Sequence, residues 1–379
     1  MSDFVYLDHA AATPLDPAVA DVMTPFWSEQ FYNPSATYAP AVAVHKSLAA
    51  ARVRVAGVLG ARPSEIIFTA GGSEANNLAI HGVMGTWPDG NVVVSAIEHD
   101  SVLAPARRYD CREAAVGPDG RLRLDELLAK IDDKTVLVSV MYANNEVGTL
   151  QPIRELARAL TEVRRARQAA GSDRPLLLHT DACQASNYLD LHVARLGVDL
   201  MTLNGGKVYG PKQSGALYVK AGVSLTPLID GGGQEQGLRS GTENVPAIIG
   251  FAQALEQAQA MRQAEAKRLQ SLQQTAFKQI SELLPQAVVN GSIKLRLPNN
   301  LHLTIPGADN ERLLLLLEAK GILAAAGSAC SASDEEPSHV LRAMGLSDED
   351  ARASLRLTMG RATTAEHMDW AIRTLAELV

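Results

Sequence analysis

The chain has 379 residues, a net charge of −7, 46% hydrophobic and 20% charged residues, and only 4% aromatics. Such a length admits two or three domains with ample core, and an acidic balance with no long basic run argues against a nucleic-acid surface. No apolar run reaches the roughly 18 residues of a membrane span, no basic-then-apolar leader opens the chain, and three widely spaced cysteines (Cys111, Cys183, Cys330) form neither a disulfide framework nor a close metal pair. The expectation is a cytoplasmic, reducing setting, with no metal, no nucleic acid and no membrane as partner.

Residues 1–14, with Tyr6-Leu7-Asp8-His9-Ala10-Ala11-Ala12-Thr13-Pro14, read as an extended arm closing on a turn. Asn33-Pro34-Ser35 follows a helix-like segment and has the form of an Asn-Pro turn. Alanines and arginines at helical spacing predict a helix over 40–60, and Glu65-Ile66-Ile67-Phe68-Thr69 a strand. Ala70-Gly71-Gly72-Ser73 then opens a second helix. Free N–H groups and the helix dipole at such a start suit a phosphate at Gly72 and Ser73, while a plain N-cap at Ser73 explains the same residues.

The run Asn91–Ile97 predicts a buried strand leading to His99, residues 121–132 an amphipathic helix, and 135–141 a strand leading to Asn144-Asn145-Glu146. A helix over 152–169 and the polar break 171–175 bring the chain to Leu176-Leu177-Leu178-His179-Thr180-Asp181-Ala182-Cys183-Gln184. Here an apolar strand runs straight into a carboxylate. That is costly unless the carboxylate meets a cation, and a protonated pyridine nitrogen would serve.

Two short apolar runs between Val198 and Lys220 flank Asn204-Gly205-Gly206-Lys207. A lysine where buried strands end is partly dry, and desolvation lowers its pKa toward what an amine needs to attack a carbonyl. An aldehyde cofactor held as a Schiff base, with an acid on its ring nitrogen, is the pairing used by pyridoxal phosphate enzymes. Lys212, five residues on, reads as a solvated loop lysine. Strands that alternate with helices and finish in Ser73, His99, Asn145 and Asp181 imply a mainly parallel sheet, whose ligands bind beyond the strands' carboxyl ends.

Gly231–Thr242 is a long glycine-rich loop, and 244–284 one long helical region leading into a smaller C-terminal domain. Leu301–Ile305 is a strand and 310–320 a helix. In Gly327-Ser328-Ala329-Cys330-Ser331 small, polar neighbours leave the thiol accessible, whereas Cys111 and Cys183 read as core. Ser354-Leu355-Arg356 offers a guanidinium, suited to bidentate contact with a carboxylate.

Asp181-Ala-Cys-Gln184, Lys207-Val-Tyr-Gly-Pro-Lys212, Gly231-Gly-Gly-Gln-Glu235 and Arg239-Ser-Gly-Thr242 resemble, in order and across nearly the whole chain, the cysteine desulfurases. These are class V, fold-type I pyridoxal phosphate enzymes of the kind that feed iron–sulfur assembly. The resemblance implies an α/β fold: a large domain (15–255) with a mainly parallel sheet between helices, and a smaller α+β domain (256–379) carrying the cysteine loop. The arm (1–14) would pack with the small domain. It further implies conversion of L-cysteine to L-alanine, with sulfur left as a persulfide on Cys330.

By matched position, Lys207 would hold the cofactor, Asp181 its ring nitrogen and Gln184 its ring hydroxyl. His99 would stack on the ring and move protons, and Asn145 would lie by the hydroxyl and the substrate. Gly72, Ser73, Asn204 and Gly206 would hold phosphate. Thr242 would reach the phosphate of a neighbouring subunit, implying a homodimer with shared sites. Arg356 and Asn33 would hold the substrate carboxylate, and a sulfur-acceptor protein, such as an iron–sulfur scaffold, would receive the persulfide.

The long loop after Cys330 resembles the first group of these enzymes. Three departures stand out. Tyr38 lies near where the family has a histidine, and Gln236 stands where an arginine is common. The family's Ser-x-His-Lys is here Asn204-Gly205-Gly206-Lys207: Asn204 can still donate and Gly206 leaves a backbone N–H, but nothing in the sequence replaces the histidine side chain. A selenocysteine lyase, another class V enzyme such as an aminotransferase, and a non-catalytic sulfur-relay or assembly partner are the alternatives. Cys330 argues against the aminotransferase.

Overall fold

Apolar runs alternating with helices build a single large sheet, and the polar residue that ends each run lands on the same edge of it. The computed structural model describes residues 4–327 and 337–379, so Cys330 lies outside the described residues. The arm carries β1 (Val5–Tyr6). The large sheet is formed by β2 (Ile66–Thr69), β3 (Asn91–Ser95), β4 (Cys111–Ala114), β5 (Thr135–Ser139), β6 (Leu177–Asp181), β7 (Leu200–Asn204) and β8 (Gly215–Val219). Their order across the sheet is β2-β8-β7-β6-β5-β3-β4. Only β8 runs against its neighbours, so β2, β3, β5, β6 and β7 all end at one edge.

Both faces of the sheet are covered, and side chains alternate between two cores as the pleat requires. Val93, Phe68 and Met201 enter one; Val92, Val94, Ile67 and Leu200 enter the other. The helix Ala39–Leu59 buries Ala41, Val44, Leu48, Ala51, Val55 and Leu59, a stripe at three- and four-residue steps. It packs along the helix Val245–Leu283. The helix expected over 121–132 is trimmed to Leu124–Ala129. Leu122 is drawn into a bridge with Val116, and Asp132 turns away to accept from Asn91, Arg112 and Lys134.

The 39-residue helix Val245–Leu283 joins two cores. Its first half contributes Ile248, Phe251 and Leu255 to the large sheet's core, its second half Leu269, Ala276 and Ile280 to another. The boundary expected between 255 and 256 thus falls inside one continuous helix. Beyond it come β9 (Val288–Val289), β10 (Asn300–Thr304), β11 (Ile322–Leu323) and β12 (Ser354–Thr358). β10 lies antiparallel between β12 and β9, while β11 takes the arm's β1 as a parallel partner. From there the arm crosses β12 through an Asp8–Thr358 bridge and reaches the large sheet, where Thr13 donates to Gly206 O (3.1 Å).

The loop 231–242 is tied down by two ion pairs, Arg239–Glu74 (2.9 Å) and a more deeply buried one at Glu235. Glu235, only 3% exposed, accepts from Arg52 at 2.6 and 2.7 Å and from the Phe68 N–H at 2.8 Å. Removing one partner strands the other charge. Glu235→Ala is expected to lower unfolding free energy by roughly 3 kcal/mol, and the Arg52→Ala/Glu235→Ala pair by less than the sum of the single changes. Denaturant titration of the three variants measures both.

Three histidines sit inside the fold. Burial pushes His9, His179 and His302 below the ordinary 6.5, to about 4, about 4 and about 3. The folded chain therefore keeps them neutral while the unfolded chain protonates them near 6.5. Stability is held above that pH and falls as the pH drops from 6.5 toward 4, by up to about 1.4 kcal/mol per pH unit for each histidine. Denaturant titrations across this range should show the decline, and a flat profile would contradict it.

Candidate active site

At the carboxyl edge of the large sheet lie two adjoining cavities, of about 420 and about 180 Å³. The smaller is lined by Asp181, His99, Asn145, Gln184, Lys207 and Arg356, the larger by Gly72, Ser73, Asn204, Gly206, Lys207 and Lys212. Lys207 faces both. It sits in the short 3-10 turn Gly205–Lys207 that follows β7, and its Nζ donates to the carbonyls of Ala10 (2.8 Å) and Ala11 (2.5 Å). Gln184 Nε2 donates to the same Ala10 carbonyl (3.0 Å). The arm is therefore a wall of the site.

Asp181, the last residue of β6, is held from two sides. Its Oδ1 accepts from the Cys183 N–H (2.9 Å) and its Oδ2 from Asn76 Nδ2 (2.7 Å). The second proton of that amide goes to Ser101 Oγ (2.8 Å), which in turn lies 2.8 Å from His99 Nδ1. Since the Ser101 N–H also donates to Nδ1 (3.1 Å), that nitrogen is an acceptor and the proton of neutral His99 sits on Nε2. One connected path thus runs from carboxylate to imidazole. Neither Asn76 nor Ser101 was singled out by the sequence, although a fully buried asparagine in a helix interior, where its propensity is poor, is a usable signal.

Arg356 on β12 is almost fully buried, with 2% of its side chain exposed. Its Nη2 pairs with Asp8 Oδ1 (2.7 Å) and its Nη1 donates to the Asn145 carbonyl (3.0 Å). Among the described residues its Nε has no hydrogen-bond partner, nor has Asn145 Oδ1 or Asn76 Oδ1. Asp8, on the arm, is a third residue, after Asn76 and Ser101, that the sequence alone does not single out.

The helix Gly72–Thr86 begins against the larger cavity with no side chain capping it. Gly72 is required there, because a Cβ would lie 2.8 Å from Cys183 Sγ. Cys183 is buried against the site, and burial pushes its thiol well up, so it stays protonated. Asn204 Oδ1 accepts from the Gly206 N–H (2.9 Å), so that N–H, expected to be available, is already used. Asn204 Nδ2 is instead turned toward Gly72.

Asn33 and Thr242, the latter expected to serve a neighbouring subunit's site, line neither cavity of this chain. Asn33 is exposed, and its Oδ1 caps its own turn by accepting from the Ser35 N–H (2.9 Å). Thr242 is exposed on the 231–242 loop. Among the described residues no cluster is suited to hold a metal, and no helix is long and apolar enough to cross a membrane.

The profile of the class-V aminotransferase family matches residues 5–370. A cysteine desulfurase IscS from Clostridium botulinum is 37% identical over 388 aligned positions, covering 100% of this chain and 95% of that protein. The chain is a member of the cysteine desulfurases of class V. A second cysteine desulfurase IscS, from Methanosarcina thermophila, is 39% identical and covers 99% of this desulfurase and 92% of itself. The solved structure of a NifS-like protein superposes with a TM-score of 0.90 at 32% identity, covering 99% of both chains. The expected α/β architecture, with a mostly parallel sheet between helices, is thus the desulfurase fold.

In this desulfurase the Asn76 amide spans two acceptors that otherwise have no common donor. Asn76→Ala is expected to cost about 2 kcal/mol of unfolding free energy by leaving Asp181 and Ser101 short of a partner. Asn76→Asp should cost more, because it sets a second carboxylate against Asp181. Thermal and denaturant unfolding of the two variants gives the order.

Proposed function

We propose that this cysteine desulfurase binds pyridoxal phosphate at the carboxyl edge of the large sheet and converts L-cysteine to L-alanine, passing the sulfur to Cys330. The observation that supports it most is the meeting of Lys207, Asp181, His99 and Arg356 around one cavity. The donors and acceptors also fit that cofactor. A buried carboxylate stands ready for a ring nitrogen, Asn145 Oδ1 is buried and unmatched, and an uncapped helix start with Gly72 and Ser73 suits a phosphate. Bound there, pyridoxal phosphate supplies a sink for the electron pair released at the substrate Cα.

The remaining work falls to this chain's own groups. Lys207 Nζ takes and returns the Cα proton, kept at the cavity floor by the carbonyls of Ala10 and Ala11. Asp181, fixed by Cys183 and Asn76, presents its carboxylate to the positive ring nitrogen. His99 closes the cavity and offers its Nε2 proton. Arg356, whose guanidinium lines the same cavity, receives the substrate carboxylate. The Cys330 thiolate then attacks the substrate sulfur. An S–S bond forms, the Cβ–S bond breaks with its pair left on carbon, and protonation there gives alanine. One L-cysteine and one enzyme thiol become one L-alanine and one persulfide, with no outside oxidant or reductant.

We further propose a homodimer in which exposed Thr242 serves the partner's site, a large domain over 15–255 and a small one over 256–379, and a sulfur-acceptor protein, such as an iron–sulfur scaffold, that relieves Cys330 of its persulfide. The test is the visible spectrum of the purified protein with and without L-cysteine, assayed together for alanine and for sulfide released by a reductant. Both products are expected from the wild type. Cys330→Ala is expected to keep the colour and lose persulfide and sulfide. Undiminished turnover in that variant would overturn the assignment of Cys330, and a colourless protein that added pyridoxal phosphate cannot restore would overturn the cofactor.

A further inference from the structure

The sequence leaves the phosphate seat without the histidine that its relatives' motif carries, and Gly206 stands in that place. Around Gly206 the space is open. A Cβ built there would touch Asn204 Oδ1 at 3.4 Å, with the Cγ and Cα of Lys212 at 3.8 and 3.9 Å, all ordinary van der Waals distances. The Lys212 stem therefore runs beside the spot that a side chain at 206 would fill, and Lys212 lines the cavity together with Gly72, Ser73 and Asn204. Its Nζ donates one proton to the Thr13 carbonyl (2.5 Å), on the arm beside Ala11 and Ala12 of the cavity lining, and an ammonium has two more protons to give.

The charges around the seat give this position weight. Glu74 also lines the cavity, but its oxygens are taken by the Ala70 N–H (3.0 Å) and by Arg239 Nε (2.9 Å), so Arg239 is engaged and the Glu74 charge is matched. The other donors at the seat, the helix N–H groups and Asn204 Nδ2, are neutral. Lys207 carries the amine chemistry of the site. A phosphate, carrying about −1.5 to −2 charges at neutral pH, is held more tightly where a cation adds to these dipoles.

We propose that Lys212 is that cation: an ammonium carried on the far side of the turn supplies the positive charge at a seat that lacks the imidazole at position 206. This inference rests on the pyridoxal phosphate reading above. It makes Lys212 a cofactor-binding residue rather than the solvated loop lysine that its sequence context suggests.

The test titrates the full chain with pyridoxal phosphate and, separately, with pyridoxal, following the visible spectrum. Lys212→Met is expected to raise the Kd for pyridoxal phosphate at least about tenfold, the size of one charge-assisted hydrogen bond, while the Kd for pyridoxal stays put. Unchanged pyridoxal binding also shows that the variant is folded. The gap should narrow as salt is added, and Gly206→His in the Lys212→Met background should restore part of the affinity. Wild-type binding of pyridoxal phosphate with the same Kd in Lys212→Met overturns this inference alone. A wild type that binds neither compound overturns the cofactor reading, and this inference with it.

Discussion

The structure depends on what one short arm does with its backbone and a single carboxylate. Arg356 is a charge carried almost entirely out of water, a placement that costs several kcal/mol unless the guanidinium is paired and hydrogen-bonded. Asp8 provides the pairing at 2.7 Å and the Asn145 carbonyl a further bond at 3.0 Å. The same arm, two residues on, offers the Ala10 and Ala11 carbonyls to Lys207. One strip of chain thus contacts two basic side chains that line the same cavity, Lys207 after β7 and Arg356 on β12. β1 anchors the strip at one end and Thr13 at the other.

Strand order explains why the lysine is where it is. A parallel strand following β7 would have needed a crossover, carrying the chain away from the carboxyl edge. β8 instead turns straight back, so the β7–β8 connection stays on that edge and delivers Lys207, Gly206 and Lys212 to one place. The reversal is also what returns β2 to the parallel sense and puts the start of the helix Gly72–Thr86 opposite the lysine.

Most of this scaffold was legible in the sequence, because buried strands and long amphipathic helices write their period directly into the residues. The strands at 66–69, 177–181, 200–204 and 215–219 and the helices at 39–59 and 153–169 lie where apolar runs and periodicity place them. So does the convergence of polar strand ends. What escaped was set by contacts distant in sequence. Asp8 looks like one polar residue in a loose arm until Arg356 arrives 348 positions later. Asn76 and Ser101 acquire meaning only when Asp181 and His99 are brought together. Asn33 stands apart from them in an exposed local turn, its Oδ1 accepting from the Ser35 N–H. Gly206 looked like a donor, but its N–H is spent on Asn204 within the turn.

The arm also sets an order of events during synthesis. Its partners on β11 and β12 are made more than a hundred positions after β8, whereas the large sheet is complete once β8 emerges. At ribosomal rates of about 5–20 residues per second, the first residues wait on the order of half a minute before Arg356 exists. Throughout that interval the nascent chain can hold a finished large sheet whose lysine lacks its second wall. The site therefore gains its second wall only once β12 has formed, when Asp8 meets Arg356 and the arm is laid across to the large sheet.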